Sequence, residues 1–174
     1  PAGYRTSVRR PTFIILLLAL VGVLPGCRAC GRGGGDNARL HVTVSIFPIY
    51  DLVRRVAGDD ANVTLLIPPG RTEHAHDPTP KDIQAASRAR VGVMVGLGLD
   101  PWMEKLMKEA APNARLLKVG DRVPTLNVQD DAGNVGTELD KGTADPHVWL
   151  DPERARLIVR AIAEELGKAD AAHA

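Results

Sequence analysis

The chain of 174 residues has room for one folded domain after a leader, and its charge is nearly balanced, with 22 Lys and Arg against 21 Asp and Glu. Three of the basic residues, Arg5, Arg9 and Arg10, lie at the N-terminus, so 19 basic and 21 acidic residues remain for the rest of the chain. A nucleic-acid-binding domain needs a basic face. The composition therefore argues against a nucleic-acid partner.

The first segment, residues 1–27, has the pattern of a bacterial lipoprotein signal peptide. Its basic residues precede an apolar run at residues 13–24, and this run is shorter than the roughly 20 residues that span a bilayer. The run ends in Leu24-Pro25-Gly26-Cys27, which resembles a lipobox. The resemblance implies cleavage before Cys27 and a lipid on its sulfur, and an uncleaved membrane anchor is the alternative. Both place the rest of the chain outside the cytoplasm.

Residues 28–40 are rich in glycine and lack apolar periodicity, which predicts a flexible tether. Cys27 and Cys30, the two cysteines of the chain, form a Cys-x-x-Cys pair of the kind found in zinc and redox sites. A lipid on Cys27 would leave Cys30 without an intrachain partner. Because the first residue is Pro, we expect the sequence to be part of a longer protein.

Beyond the tether, four apolar segments alternate with four predicted helices. The predicted strands are residues 42–46, 63–67, 91–95 and 116–119. One helix follows residue 46, two begin near Pro80 and Pro101, and the last runs from Pro152 to about Gly167. The second strand is an apolar run, so we expect it to be covered on both faces.

This alternation predicts an α/β fold, with a four-stranded parallel, doubly wound sheet flanked by helices in a domain of residues 41–168. In such sheets ligands bind beyond the carboxyl ends of the strands. The loop that carries His74 follows the second strand and lies at that edge. Residues 122–144 have little periodicity and are predicted to form a long loop.

Two histidines occupy similar turns before predicted helices. His74 precedes Pro78-Thr79-Pro80, and His147 precedes Asp151-Pro152. In each turn the Thr or Asp is suited to cap the helix, and the following Pro suits the first helical position. Neutral imidazole is a good ligand for zinc and other late first-row metals. We therefore predict His74 and His147 as metal ligands, and the alternative is that both are ordinary turn or surface residues.

Three neighbouring residues have other interpretations. His76 can face the same ion as His74 only in an irregular loop, so it is either a further ligand or a polar cover for the site. Asp145 and Asp151 flank His147 and could act as an acid or a base. Helix capping and support of the imidazole explain both carboxylates more simply.

The same stretches carry a resemblance to the solute-binding lipoproteins of zinc and manganese ABC transporters. That family has a His-x-x-x-Pro-x-Pro loop and a Pro-His-x-Trp-Leu turn, which match residues 74–80 and 146–150. Residues 46–50 and 98–102 are also similar to the family, and the likeness covers residues 42–167. At the position of His76 the family usually has an aromatic residue.

The resemblance implies the N-terminal lobe of a two-lobed protein that binds Zn²⁺, or Mn²⁺, and delivers it without chemical reaction. His74 and His147 would be two of four zinc ligands. A second lobe would supply the others, and residues 169–174 would be a truncated tail before the linker helix to that lobe. The expected partners are the permease and its ATPase, and a lipid on Cys27 would anchor an extracytoplasmic monomer to the bacterial membrane.

Two other classes of function would use the same residues. A zinc-dependent hydrolase would hold the ion with His74, His147 and a carboxylate and leave one position for water. A metal-binding surface adhesin would use the lobe without transport. The sequence contains no His-Glu-x-x-His or Gly-x-Ser-x-Gly motif, and Gly96-Leu97-Gly98 lacks the third glycine of a dinucleotide site. We therefore expect a protein that is not an enzyme.

Overall fold

The computed structural model describes Gly3 and residues 39–74, 76–126 and 144–173, and from residue 39 onward these belong to one compact unit. The strands are β1 (Leu40–Val44), β2 (Ala61–Leu65), β3 (Val91–Met94) and β4 (Arg115–Lys118). They form one sheet in the order β2-β1-β3-β4, and all neighbouring pairs are parallel. This arrangement confirms the predicted fold class.

Across the described residues, four α-helices cover the sheet: α1 (Phe47–Ala57), α2 (Pro80–Arg88), α3 (Pro101–Ala110) and α4 (Pro152–Ala169). Helices α1 and α4 share one apolar cluster, and α2 and α3 share another on the opposite face. The sheet is therefore doubly wound, as predicted. None of the helices in the described part of the chain is both long and apolar enough to span a membrane.

The helix ends follow from local chemistry, and their positions confirm the predicted starts. Thr79 forms a capping box with Asp82, in which the threonine hydroxyl accepts from Asp82 N and the Asp82 carboxylate accepts from Thr79 N at 2.8 Å. Asp151 caps α4 by accepting from Glu153 N at 2.8 Å. Helix α1 stops at Gly58, whose φ of 55° is one that side-chain-bearing residues rarely adopt.

The expectation that the second strand is covered on both faces was wrong. Strand β2 pairs with β1 alone and forms an edge of the sheet, so its residues are half-buried and Thr64 is exposed. The strand also lies two residues before the predicted span of 63–67. The deeply buried part of the apolar run is Leu66 and Ile67, which follow the strand. The apolar run therefore indicates the residues that enter the core after the strand rather than the strand itself.

The strand order places a switch point between β1 and β3, because the chain proceeds to β2 on one side of β1 while β3 lies on the other. Doubly wound sheets bind ligands at such a point, beyond the carboxyl ends of the strands. Ser45 follows β1 here, and Val95 follows β3; both are fully buried. The loops that carry the candidate functional residues start from this edge.

Several predicted features lie outside the described residues. These are the lipidation site Cys27 and most of the signal peptide, the tether with Cys30 up to residue 38, and residues 127–143 of the predicted long loop. At the two described ends of that loop, Asp145 N donates to Leu126 O at 2.7 Å.

Candidate metal centre

A cleft of about 220 Å³ lies beyond the carboxyl ends of β1 and β2. Its walls are residues 46–48 after β1, residues 67–71 and Glu73 after β2, and Trp149. Glu73 directly precedes His74, and Trp149 follows His147 by two positions. The two histidine-bearing segments, which are distant in sequence, therefore border the same cleft through their neighbours.

His147 is held by a carboxylate that leaves one ring nitrogen for a metal. Its backbone N–H and its Nδ1 both meet Oδ1 of Asp145, at 2.9 and 2.8 Å. These contacts, the backbone N–H first, hold the pKa of the Asp145 carboxyl below its usual value. An ionised carboxylate only accepts, so in the neutral imidazole Nδ1 carries the hydrogen and Nε2 has the free lone pair. Metal-binding imidazoles in proteins are oriented in this way.

The backbone around His147 is fixed on both sides. A short 3-10 turn, Val148–Leu150, follows it, with Val148 buried and Leu150 N donating to His147 O at 3.1 Å. Asp151 then starts α4. The imidazole itself is exposed, and its ring lies 5.4 Å from that of Trp149. His147 is thus an exposed imidazole on a turn that a backbone hydrogen bond and the buried Val148 hold against the domain.

His74 is exposed, and the loop around it is tied down by its neighbours. The indole Nε1 of Trp102, on the first turn of α3, donates to Glu73 O at 3.0 Å. The same indole packs edge-on against His76, with ring centroids 4.6 Å apart. Glu73 and His76, on either side of His74, therefore both contact the half-buried Trp102, while His74 itself is exposed.

His76 occupies a different environment from the two predicted ligands. It is only 9% exposed, and its Nε2 lies 3.3 Å from Oδ2 of Asp82, the carboxylate of the α2 capping box. Its ring packs on Trp102, as an aromatic residue would at this position. This geometry favours the interpretation of His76 as a polar cover, although its role as a ligand stays an open alternative.

A complete metal site is not found among the described residues. Within residues 39–74, 76–126 and 144–173, no three His, Cys, Asp or Glu side chains are grouped so that they could hold an ion. Zinc prefers four ligands in a closed site. His74 and His147 can therefore supply only part of a coordination shell, and their roles as ligands stay predictions.

Comparisons with known proteins identify the family of the chain. A family model described as zinc-uptake complex component A, periplasmic, or ZnuA, matches residues 42–174. The chain is 28% identical over 160 residues to the manganese-binding lipoprotein MntA of Halalkalibacterium halodurans, covering 91% of this chain and 49% of that protein. It is also 28% identical over 164 residues to the metal ABC transporter substrate-binding lipoprotein SsaB of Streptococcus sanguinis, covering 91% and 51%.

Among solved structures, the Zn(II)-bound ZnuA-like domain of Streptococcus pneumoniae AdcA aligns with a TM-score of 0.62 and 27% identity, over 77% of this chain and 46% of that one. The chain thus spans about half the length of the relatives that it matches. These relatives are binding lipoproteins rather than enzymes, which confirms the non-enzyme prediction and agrees with an extracytoplasmic, membrane-anchored location. Because the family model covers most of the sequence, the chain belongs to the ZnuA family, zinc-uptake complex component A.

Proposed function

We propose that this chain is the N-terminal metal-binding lobe of an extracytoplasmic solute-binding lipoprotein, which captures Zn²⁺ and passes it to an ABC transporter permease. Family membership supports a metal ion as the cargo, since MntA is named as manganese-binding and the AdcA domain was solved with Zn(II). In this chain the ion would sit at the cleft beyond β1 and β2. His74 and His147 would contact it.

The observation that carries this proposal is the pairing of Asp145 with His147. A carboxylate beside an exposed histidine is not sufficient by itself, since His173 has a similar contact with Asp170. At His147 the contact lies two residues from Trp149, which lines the cleft. Here one carboxylate oxygen receives both the backbone N–H and Nδ1 of His147, and the free Nε2 belongs to an exposed ring beside the cleft. A ring with a free Nε2 is suited to bind zinc, at a distance of about 2.0–2.1 Å.

Zinc is proposed ahead of manganese because of the ligand chemistry. Both predicted ligands are imidazole nitrogens, which suit zinc, whereas manganese favours carboxylate, carbonyl and water oxygens. Relatives named for manganese and a relative solved with zinc both resemble this chain. The preference for zinc over manganese therefore depends on the remaining ligands as well as on His74 and His147.

Two ligands leave about half of a tetrahedral shell to other groups. We propose that water or a second lobe supplies them, and that their departure releases the ion at the permease. In this proposal the permease acts with its ATPase, a lipid on Cys27 keeps the protein at the membrane, and the binding protein is a monomer. The ion is bound and released without a chemical reaction.

A calorimetric titration of the full chain in detergent with Zn²⁺ tests the proposal. We expect His74→Ala and His147→Ala each to weaken binding strongly, because each loses one nitrogen ligand. The double variant should be little worse than either single one, since members of one ligand set do not act independently. His76→Phe should bind as wild type, because it keeps the ring contact with Trp102 and removes only the nitrogens.

His173→Ala is the matched control for His147→Ala. His173 is also exposed and also has its Nδ1 beside a carboxylate, that of Asp170 at 2.9 Å, but it lies after α4 and away from the cleft. Equal binding by all of the variants would mean that the two turns are only structural. A loss confined to the His76 variant would move the first ligand from His74 to His76.

The hydrolase and adhesin alternatives receive no support from a particular observation. A hydrolase needs a third protein ligand, and the described part of the chain offers none beside His74 and His147. The names of the relatives point to transport. Competition between Zn²⁺ and Mn²⁺ in the same titration would test the preference for zinc.

A further inference from the structure

A buried carboxylate lies at the switch point of the sheet, outside the ligand set proposed above. Asp100 is fully buried, and its oxygens accept three hydrogen bonds: from Ser45 Oγ at 2.5 Å, from Val95 N at 2.9 Å and from Gly96 N at 2.8 Å. It precedes α3 but does not cap that helix through its side chain. Because an uncompensated buried carboxylate is costly, these three donors specify one position for it.

These hydrogen bonds fix the start of α3 relative to the sheet. Ser45 directly follows β1, and its own backbone N–H donates to Val93 O on β3 at 3.1 Å. The residue whose hydroxyl donates to Asp100 is therefore itself hydrogen-bonded to the sheet. Asp100 connects this edge to Trp102, which is two residues further along the chain. The backbone that leads into Trp102 is therefore hydrogen-bonded to the buried edge of the sheet.

Trp102 connects the start of α3 to the loop that carries His74. Its Nε1 donates to Glu73 O, and its ring packs against His76, so it touches the chain on both sides of His74. His76 is tied in turn to Asp82 on α2. The loop after β2 has no regular secondary structure at His74, so the positions of its backbone depend on such contacts.

We propose that Trp102 and Asp100 are positioning residues for the metal ligand His74. Trp102 sets the backbone of the His74 loop, and Asp100 sets Trp102. Neither touches the ion. The inference rests on the proposed function, because it assigns a task to a loop whose task is metal binding. A ligand held in place before the ion arrives binds it more tightly, because less conformational freedom is lost on binding.

The test is zinc titration of the full chain with Trp102→Phe, which removes the indole N–H and keeps most of the ring packing. Loss of a group that orients a ligand typically weakens metal binding by about 10–100-fold. We expect a loss of about tenfold for Trp102→Phe and a loss in the same direction for Asp100→Asn. In the His74→Ala background, Trp102→Phe should cause no further loss, because the ligand that it positions is gone.

Leu166→Ala is the control for a general loss of stability. Leu166 is buried on α4, lines a different cleft together with Leu40 and Ala61 at the starts of β1 and β2, and makes none of the hydrogen bonds described above. Leu166→Ala should lower the thermal midpoint and leave zinc affinity unchanged. If Leu166→Ala weakens zinc binding as much as Trp102→Phe does, the positioning role is refuted.

The outcomes separate the two proposals. If His74→Ala weakens binding but Trp102→Phe binds zinc as wild type, the positioning role is wrong and the proposed function stands. If wild type does not bind zinc, both proposals fall. If His74→Ala changes nothing, the positioning role of Trp102 falls, and the metal-binding proposal then stands only if the His76 variant loses affinity. Asp100→Asn is the variant at greater risk of misfolding, and the result for Trp102→Phe decides the matter without it.

Discussion

Removal of the Asp145 carboxylate should weaken zinc binding while the fold is retained. Asp145 accepts two hydrogen bonds, at 2.8 and 2.9 Å, and both come from His147. Asp145→Ala frees the imidazole to rotate and to exchange the hydrogen between its nitrogens. In a fraction of molecules Nε2 would then carry the hydrogen and could not bind an ion.

The size of the effect follows from the exposure of the pair. The Asp145 and His147 side chains are 46% and 45% exposed, so water competes with the interaction. Within the range of about 10–100-fold that is typical of groups that orient a metal ligand, we expect the lower end, about tenfold, or about 1.4 kcal/mol. Asp145→Asn should lose less, since its amide oxygen can still accept from Nδ1.

The assay is calorimetric zinc titration of wild type, Asp145→Asn and Asp145→Ala at neutral pH, with Asp170→Ala as the control. Asp170 meets Nδ1 of His173 at 2.9 Å in the same manner, but outside the cleft. Affinity should fall in the order wild type, Asn, Ala. Unchanged affinity in Asp145→Ala, or an equal loss in Asp170→Ala, would refute the argument that the carboxylate prepares His147 for the metal.

Four further predictions concern pH, stability and anchoring. Zinc affinity should fall as the pH is lowered, because protons compete with the metal for the imidazole nitrogens, and titrations from pH 8 to 5 measure this. The pKa of Asp51 lies below its ordinary 3.8, chiefly through the hydrogen bond from Arg55, so its stabilisation is present above that value and is lost as the pH falls through the lower folded-state pKa. Urea unfolding curves of wild type and Asp51→Asn should accordingly differ at pH 7, and the difference should shrink as the pH falls below 3.8. Thr79→Ala removes one side of the α2 capping box and should lower the free energy of unfolding by about 1 kcal/mol, measured by the same method; an unchanged value would mean that Asp82 maintains the helix start alone. Cys27→Ser should abolish incorporation of labelled fatty acid in bacteria, and labelling that survives would exclude Cys27 as the lipidation site.

The helix starts could be predicted from the sequence because the interactions that create them are local. Thr79 and Asp82 are three residues apart, and Asp151 caps N–H groups two and three residues ahead of it. Such contacts form in any chain that begins a helix at these positions. The same holds for His147 and Asp145, whose separation of two residues already suggested support of the imidazole.

Contacts between distant segments could not be predicted in this way. Apolar periodicity assigns Trp102 to the core, but its hydrogen bond to Glu73 spans 29 positions, and the one from Ser45 to Asp100 spans 55. The contacts of His76 could not be predicted from the sequence for the same reason. Its sequence position, two residues from His74, is compatible with a ligand, and only the packing of α2 and α3 around it directs the ring to Trp102 and Asp82.

The sequence by itself determined the α/β class, because alternating apolar segments and capped helices each reflect interactions within a few residues, and it singled out His74 and His147 by residue type and turn pattern. The tertiary structure alone decided the strand order, and with it that β2 is an edge strand and that the switch point lies between β1 and β3. It also decided that the two histidine-bearing segments border one cleft. These features depend on which distant segments pack together, and that choice is made by burial over the whole domain rather than by any local pattern.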